Sequence, residues 1–174
     1  MPMQPAPTSA ATDGAPRKLD PQFVPFQRVA GWIFTAFASM GLFIGAIIVW
    51  LAADLPRWAN LLLAPAWLVL VAGLTVFSYA WPILEYRWTS YVVDDRGIEI
   101  RSGVVWRAVM SVPRSRVQHI DVSQGPLERV YGLGRLVIYT AGTDHSRVEL
   151  PGLTHHAAFV LRNHLLPRGD DDAV

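Results

Sequence analysis

The sequence predicts an α+β membrane protein, in which a two-helix transmembrane hairpin precedes a small curved antiparallel sheet and a C-terminal helix. Three observations predict this class. The 174-residue chain is 52% apolar, which is high for a soluble protein. Two long uncharged segments lie close together in its first half, and short segments of alternating polarity, separated by turn residues, fill its second half.

The N-terminal segment, residues 1–25, is rich in proline and small residues and poor in large apolar side chains. Such a segment buries too little surface to offset the entropy of ordering it, so we expect a disordered tail. Residues 168–174, with the acidic run Asp170–Asp172, are expected to form a second disordered tail.

The hairpin is predicted over residues 26–84. Its helices are the uncharged segments Val29–Ala53 and Trp58–Leu84, each long enough at about 1.5 Å per residue to cross a hydrocarbon core of roughly 30 Å. The short break Asp54–Arg57 allows only a hairpin. A secretory signal peptide would have a shorter apolar region near the start of the chain, so this alternative is disfavoured.

Basic residues near the helix ends predict the orientation. Lys and Arg are enriched on the cytoplasmic side of membrane proteins, and the two outer flanks of the hairpin hold more of them than the break, where Arg57 lies. We therefore expect a multi-pass protein of the cell (plasma) membrane with both termini in the cytoplasm. The flanking basic residues are Arg17, Lys18, Arg28, Arg87, Arg96 and Arg101.

Small residues in the first span, Ala38, Gly41 and Gly45, share one helical face and predict a helix-packing site. Packing against the second span is the favoured interpretation, and a dimer contact is the alternative. Pro65 and Pro82 mark kinks or a helix end in the second span. Neither span contains an ionisable residue, which argues against a proton relay, an ion path or a transporter site.

The soluble domain is predicted over residues 85–167. Its first half consists of strands joined by the turns Asp94–Gly97 and Ser102–Gly103. Val104, Trp106, Ala108 and Met110 are predicted to share one strand face, and Gln118, Ile120 and Val122 another. The four predicted strands are Arg87–Val93, Ile98–Arg101, Val104–Val112 and Val117–Val122.

The second half begins with a short helical turn, Pro126–Gly132, for which we predict an apolar stripe of Leu127, Val130 and Tyr131. Strands Leu136–Thr140 and Arg147–Leu150 follow. Thr154 is expected to cap a final helix that ends near Leu166 and packs on the sheet. The residues spaced to face the sheet are Ala158, Leu161 and Leu165.

The run from Val112 to Gly134, VPRSRVQHIDVSQGPLERVYGLG, is followed by Thr140-Ala-Gly and by Val148-Glu-Leu-Pro-Gly-Leu. This sequence resembles bacterial pleckstrin-homology-like (PH-like) domain membrane proteins of the YdbS type, which also have a two-helix hairpin before the domain. The resemblance covers about Arg28 to Leu166. It implies a PH-like fold, a partly open barrel with a C-terminal helix, and it implies no enzyme activity and no agreed ligand.

Catalytic, metal and cofactor sites are not predicted. The chain has no cysteine, the adjacent His155 and His156 point apart on a helix, and no Gly-x-Ser-x-Gly elbow is present. Gly132-Leu-Gly134 leads from a helical turn into a strand, which is the reverse of a phosphate-binding loop. The net charge of +1 excludes a strongly basic nucleic-acid binder, so no nucleic acid partner is expected.

Two sets of basic residues remain as candidates. Arg87, Arg101 and Arg107 are predicted to face the membrane, because little chain separates the second span from the domain. An interaction surface is predicted at a second set, for which a phosphate-binding face and plain solvated ion pairs are the alternatives. That second set is Arg114, Arg116, His119, Arg129 and Arg135.

The sequence thus predicts a membrane-tethered, non-catalytic interaction module that presents a cytoplasmic surface to a protein partner. That partner can be a related PH-like membrane protein or a second copy of the chain. The alternative is a sensor of anionic lipid headgroups at the inner leaflet. Asp94 and Asp95 in the first hairpin turn disfavour this alternative, because lipid-binding members of the wider PH superfold carry basic residues there.

Overall fold

The computed structural model describes residues 14–52, 56–141 and 147–166, which form two compact units. One unit combines the residues up to Phe23 with those from Leu84 onward, and the other is Val24–Ile83. The predicted hairpin and domain correspond to these units except at the N-terminal end. The first half of the predicted break after the first span lies outside the described residues, as do the first half of the N-terminal tail and the acidic C-terminal tail.

Two long helices, α1 (Phe23–Ala52) and α2 (Arg57–Trp88), supply the helical unit. The apolar segments Phe23–Leu51 and Leu61–Trp88 are each long enough to cross a membrane, and almost none of their side chains are buried inside the protein. Both helices extend beyond the predicted spans. Pro65 and Pro82 lie inside α2, so neither proline ends the helix.

The two helices lie close together at Gly31. A Cβ atom there would lie 2.9 Å from the Ser78 Cβ, so only glycine allows this approach. Thr35 is buried beside it. The Thr35 hydroxyl donates to the Gly31 carbonyl at 2.8 Å and lies 3.1 Å from the Ser78 hydroxyl oxygen, so a small polar contact joins the helices.

The favoured packing of Ala38, Gly41 and Gly45 against the second span is not seen at the two glycines, so the alternative of a dimer contact stays a prediction. Both are exposed, and a Cβ atom at either would meet nothing within 4 Å. The Phe43 and Trp67 rings, with centroids 5.6 Å apart, lie between the helices at this level. Trp67 Nε1 also donates to the Ser39 carbonyl at 3.3 Å, so an aromatic side chain and not a small residue makes the helix contact here.

The soluble unit contains two antiparallel sheets, with strand orders β1-β2-β3-β4 and β5-β6-β7. Together with the final helix they confirm the predicted fold class. The first sheet consists of β1 (Arg17–Lys18), β2 (Ser90–Asp94), β3 (Gly97–Ser102) and β4 (Ala108–Pro113), and the second of β5 (Val117–Ser123), β6 (Leu133–Thr140) and β7 (Arg147–Thr154).

Strand alternation buries one face of each sheet, with two corrections to the predicted faces. Val104 and Trp106 precede β4, which begins at Ala108, so they do not share a strand face with Ala108 and Met110. The pairing of β5 with β6 shifts register between Val117 and His119, as in a β-bulge. As a result Val117 and Ile120 are buried, whereas Gln118 is exposed. The predicted shared face of Gln118, Ile120 and Val122 is therefore wrong, because the bulge resets the alternation.

The final helix, α4 (His155–Leu165), begins as predicted. The Thr154 hydroxyl accepts a hydrogen bond from the Ala157 N–H at 3.1 Å, which satisfies one free donor of the first turn. The predicted sheet-facing residues are confirmed, since all three are at most 1% exposed. They are Ala158, Leu161 and Leu165.

The short helix α3 (Pro126–Val130) corrects the predicted apolar stripe. Val130 is 79% exposed, whereas Glu128 is 7% exposed. The Glu128 carboxylate accepts from the Gly125 N–H at 2.7 Å and from Arg135 Nη2 at 3.1 Å. These two charge-assisted bonds compensate the cost of burying the carboxylate, so Glu128 takes the place expected for an apolar residue.

The N-terminal segment is ordered from residue 14, which corrects the tail predicted for residues 1–25. Strand β1 pairs with β2, with Arg17 opposite Tyr91. Leu19 and Phe23 are 3% and 1% exposed, and the Asp20 N–H donates to the Gly152 carbonyl at 2.8 Å. The proline-rich composition predicted disorder because ordering this segment costs conformational entropy. Two buried apolar side chains and backbone pairing offset that cost.

Candidate functional site

Two neighbouring strands have a free edge. Strand β4 ends the first sheet and β5 begins the second, so within the described residues each is paired along one side only. A single turn of 3-10 helix, Arg114–Arg116, joins them. The outer edge of β4 therefore offers unpaired backbone N–H and C=O groups, which can accept an added strand.

A cavity of about 330 Å³ opens beside β4. Residues Val109–Pro113 form one wall, and the opposite wall consists of Arg116, Thr140, Ala141 and Val148. The Ala141 N–H donates to the Arg116 carbonyl at 3.0 Å, which joins two residues of this second wall. The volume is at the low end for ligand pockets and suits one or two inserted side chains.

Two residues of the predicted interaction surface are engaged within the domain. Arg114 Nη2 donates to the Leu166 carbonyl at 3.0 Å, at the end of α4. Arg135 pairs with Glu128 at 3.1 Å and with Glu149 at 3.0 Å. These guanidinium groups hold elements of the fold together, and they contribute little to an open binding face.

The other three predicted surface residues lie at different places. Arg116 is exposed and lines the cavity. His119, on β5, is paired with the Asp121 carboxylate at 2.6 Å, and Arg129 is exposed on α3. The predicted set is therefore divided by the fold, and only Arg116 belongs to the cavity.

The predicted membrane-facing residues lie near the start of the sheet. Arg87 is exposed in the last turn of α2. Arg101 is paired with Glu99 at 2.6 Å. The Arg107 guanidinium lies 4.6 Å from the centroid of the Trp88 ring, which is a cation–π contact.

Burial raises the pKa of Tyr91, and the nearby Arg17 charge opposes this shift in part. The cavity has no comparable perturbed acid or base, and Arg116 is its single charged lining residue. Among the residues that the structure describes, no group of three His, Asp or Glu side chains could hold a metal ion.

A family model for the bacterial PH domain matches residues 28–169. The chain belongs to the bacterial PH domain family. It is also 36% identical over 121 residues to the UPF0699 transmembrane protein YdbS of Bacillus subtilis (strain 168), which covers 68% of this chain and 72% of that protein. No solved structure matches the chain.

Family membership confirms the resemblance seen in the sequence and the PH-like fold. Together with the two apolar helices, the transmembrane relative also supports a membrane location. The matched bacterial PH region begins at residue 28, so β1 and the buried Leu19 and Phe23 lie before it.

Sequence analysis did not predict three features of this bacterial PH domain. Glu128 follows Gly125 at the spacing of a capping box, and this spacing could have indicated its role. Phe23 is a large apolar residue in a proline-rich segment, where composition hides it. Val105 and Trp106 are 72% and 87% exposed, although the predicted strand placed Trp106 on an alternating face.

Proposed function

We propose that this bacterial PH-like protein is a membrane-tethered, non-catalytic interaction module that binds an extended segment of a protein partner along β4. The observation that carries this proposal is the free edge of β4 beside the cavity. Strand addition uses backbone hydrogen bonds for affinity and side-chain pockets for specificity. An edge next to a cavity supplies both.

The side chains of β4 suit this role. Val109 is 63% exposed and lines the cavity. Arg116 adds a positive charge at the opposite wall. We therefore expect a partner segment that pairs along β4 and carries an acidic group that reaches Arg116.

The internal pairing of Arg114 and Arg135 favours a protein partner over the lipid-headgroup alternative. A headgroup site needs several unpaired cations converging on one phosphate. Three of the five candidate residues, Arg114, His119 and Arg135, are already engaged, and the first hairpin turn is acidic. A single arginine in the cavity also supports a non-catalytic role, because general acid–base chemistry needs a titratable group poised near neutral pH.

The tether restricts which partners can reach β4. The basic residues that flank the hairpin support a domain and both termini on the cytoplasmic side of the plasma membrane. A partner held at the same membrane gains effective concentration from that shared location. We therefore favour a related PH-like membrane protein or a second copy of this chain.

Photo-crosslinking in native membranes tests the proposal. A photoreactive amino acid at Val109 should give a specific crosslinked protein, and Val109→Lys should abolish capture of that protein by the intact chain, because a lysine blocks strand addition. Val130 is a matched control, since it is also a valine, is 79% exposed and lies outside the cavity. Equal crosslinking from positions 109 and 130, or none from position 109, would overturn the proposal.

A further inference from the structure

The loop between β3 and β4, residues 103–107, carries the most exposed apolar side chain among the large apolar residues described. Trp106 is 87% exposed and Val105 is 72% exposed. Neither residue contributes to the core or to the cavity beside β4. Exposed apolar side chains of this size on a short loop mark a surface that is covered by something else.

Strand register fixes the level of this loop along the sheet. Ser90, the first residue of β2, pairs with Arg101 near the end of β3, and Ser102 pairs with Ala108 at the start of β4. The loop therefore lies at the end of the sheet where β2 begins. The Asp94–Gly97 turn lies at the other end, four residues along β2, or about 13 Å at the usual rise of a strand.

The start of β2 is close to the end of the second membrane span. Helix α2 ends at Trp88, and β2 begins at Ser90. The uncharged part of the span ends at Leu84, about 6 Å before Trp88 at the rise of a helix. Trp88 is thus at the depth of the membrane interface, where tryptophan is enriched.

A direct contact joins the loop to this helix turn. The Arg107 guanidinium lies 4.6 Å from the centroid of the Trp88 ring, so the residue after Trp106 is held at the level of Trp88. Gly103 has a φ of +117°, and a Cβ atom there would overlap the Trp106 carbonyl oxygen. The tight bend is therefore restricted to glycine, and it leaves Val105 and Trp106 at its exposed tip.

The chemistry around the tip fits a lipid surface. Arg87, Arg101 and Arg107 surround it, and Glu99 is the single carboxylate paired with any of them in the described residues. Aliphatic and indole groups enter the headgroup boundary, while arginines remain among anionic headgroups. A protein partner would have no need of this match to the interface, so the bilayer is the favoured occupant.

We propose that the β3–β4 loop inserts Val105 and Trp106 into the interfacial region of the same bilayer that α1 and α2 cross. This contact makes a third membrane anchor and fixes the domain in one orientation. It uses the loop and not the free edge of β4, so it does not rest on the proposed partner site. Binding is non-specific for headgroup chemistry beyond negative charge, because apolar insertion carries it.

Spin-label depth measurements on the full chain test this proposal. The sequence has no cysteine, so Val105→Cys gives a unique labelling site and leaves Trp106 in place. In vesicles of phosphatidylcholine and phosphatidylglycerol, the ratio of oxygen to nickel-chelate accessibility should be severalfold higher at 105 than in the control Asp95→Cys. Asp95 is exposed in the turn at the far end of β2.

A second variant separates insertion from mere proximity. Adding Trp106→Ser to the labelled Val105→Cys chain should shift the label toward water, because the main apolar side chain is lost. Two results would overturn the proposal. One is equal nickel-chelate accessibility at positions 105 and 95, which would place the loop in water. The other is a label shielded from both reagents, which would indicate a protein-covered site.

Discussion

Phe23 is the side chain through which the N-terminal segment is held in the soluble unit, and Phe23→Ala should release that segment. The ring is 1% exposed, and Leu19, which lies one helical turn's length earlier in the sequence, is 3% exposed. Between them, the Asp20 N–H bonds to β7 through the Gly152 carbonyl. The segment keeps other contacts when the ring is removed, but Leu19 is then the remaining buried apolar side chain among the described residues before α1; the other contacts include strand β1, the Asp20 bond to β7, the Gly14 N–H bond to the Val93 carbonyl and the Lys18 bond to the Arg87 carbonyl.

The expected effect follows from the burial. Truncating a fully buried phenylalanine to alanine costs about 3–5 kcal/mol. The lower end applies here, because a segment at the edge of the core can relax into the vacated space. A loss of about 3 kcal/mol in the local opening free energy makes the open state roughly a hundredfold more populated.

Tryptic cleavage after Lys18 reports this opening. Lys18 pairs with Ser90 in the sheet, and its ammonium group donates to the Arg87 carbonyl. Trypsin can therefore cut the peptide bond after Lys18 only when the segment detaches. In detergent micelles, Phe23→Ala should speed this cleavage about a hundredfold when opening is fast relative to cleavage. Phe34→Ala is the matched control, because Phe34 lies on α1 and is 68% exposed. A cleavage rate in Phe23→Ala within twofold of the parent chain would refute the reasoning.

Other predictions concern the core, a buried charge, alkaline pH and topology. Leu161→Asp should unfold the soluble unit, because Leu161 is 1% exposed and an unpaired charge there has no partner; native-like thermal unfolding would contradict this. Glu128→Ala should lower stability by about 2 kcal/mol, because it removes a cap and leaves Arg135 with one of its two partners, and chemical denaturation measures this loss. Burial raises the pKa of Tyr91, so stability should fall as pH rises above the unfolded value of about 10, and Tyr91→Phe should flatten this alkaline loss in unfolding curves. Reporter fusions at the N-terminus and the C-terminus should both score as cytoplasmic, and a periplasmic or extracellular signal from either would contradict the topology.

Local sequence patterns were sufficient where the physical cause is local. The two spans follow from uncharged length, and the start of α4 follows from a threonine cap and apolar spacing, which the Thr154 bond and the buried Leu161 confirm. The pattern failed where one extra residue or one distant contact intervened. The bulge at Val117 resets the alternation of β5, and Glu128 on α3 is buried where Arg135 of β6 pairs with it.

The candidate site was predicted only in part for the same reason. Arg116 was among the predicted interaction residues and lines the cavity, whereas Arg114 and Arg135 are engaged by groups distant along the chain. Charge can be read along a sequence, but whether an arginine is free depends on what folds against it. The free edge of β4 likewise depends on the order of strands in two sheets.

By itself, the sequence determined that this chain is membrane-tethered, that its soluble part is a PH-like domain, and where most helices and strands lie. Hydrophobic length, periodicity and capping residues act over a few residues, so they are visible in one dimension. Tertiary structure alone decided that residues 17–23 complete the soluble unit, that Gly31 and not Gly41 lies against the second helix, and that Arg107 contacts Trp88. Each of these depends on strand register or on a contact between residues far apart in the chain, and such contacts form only when the whole domain folds.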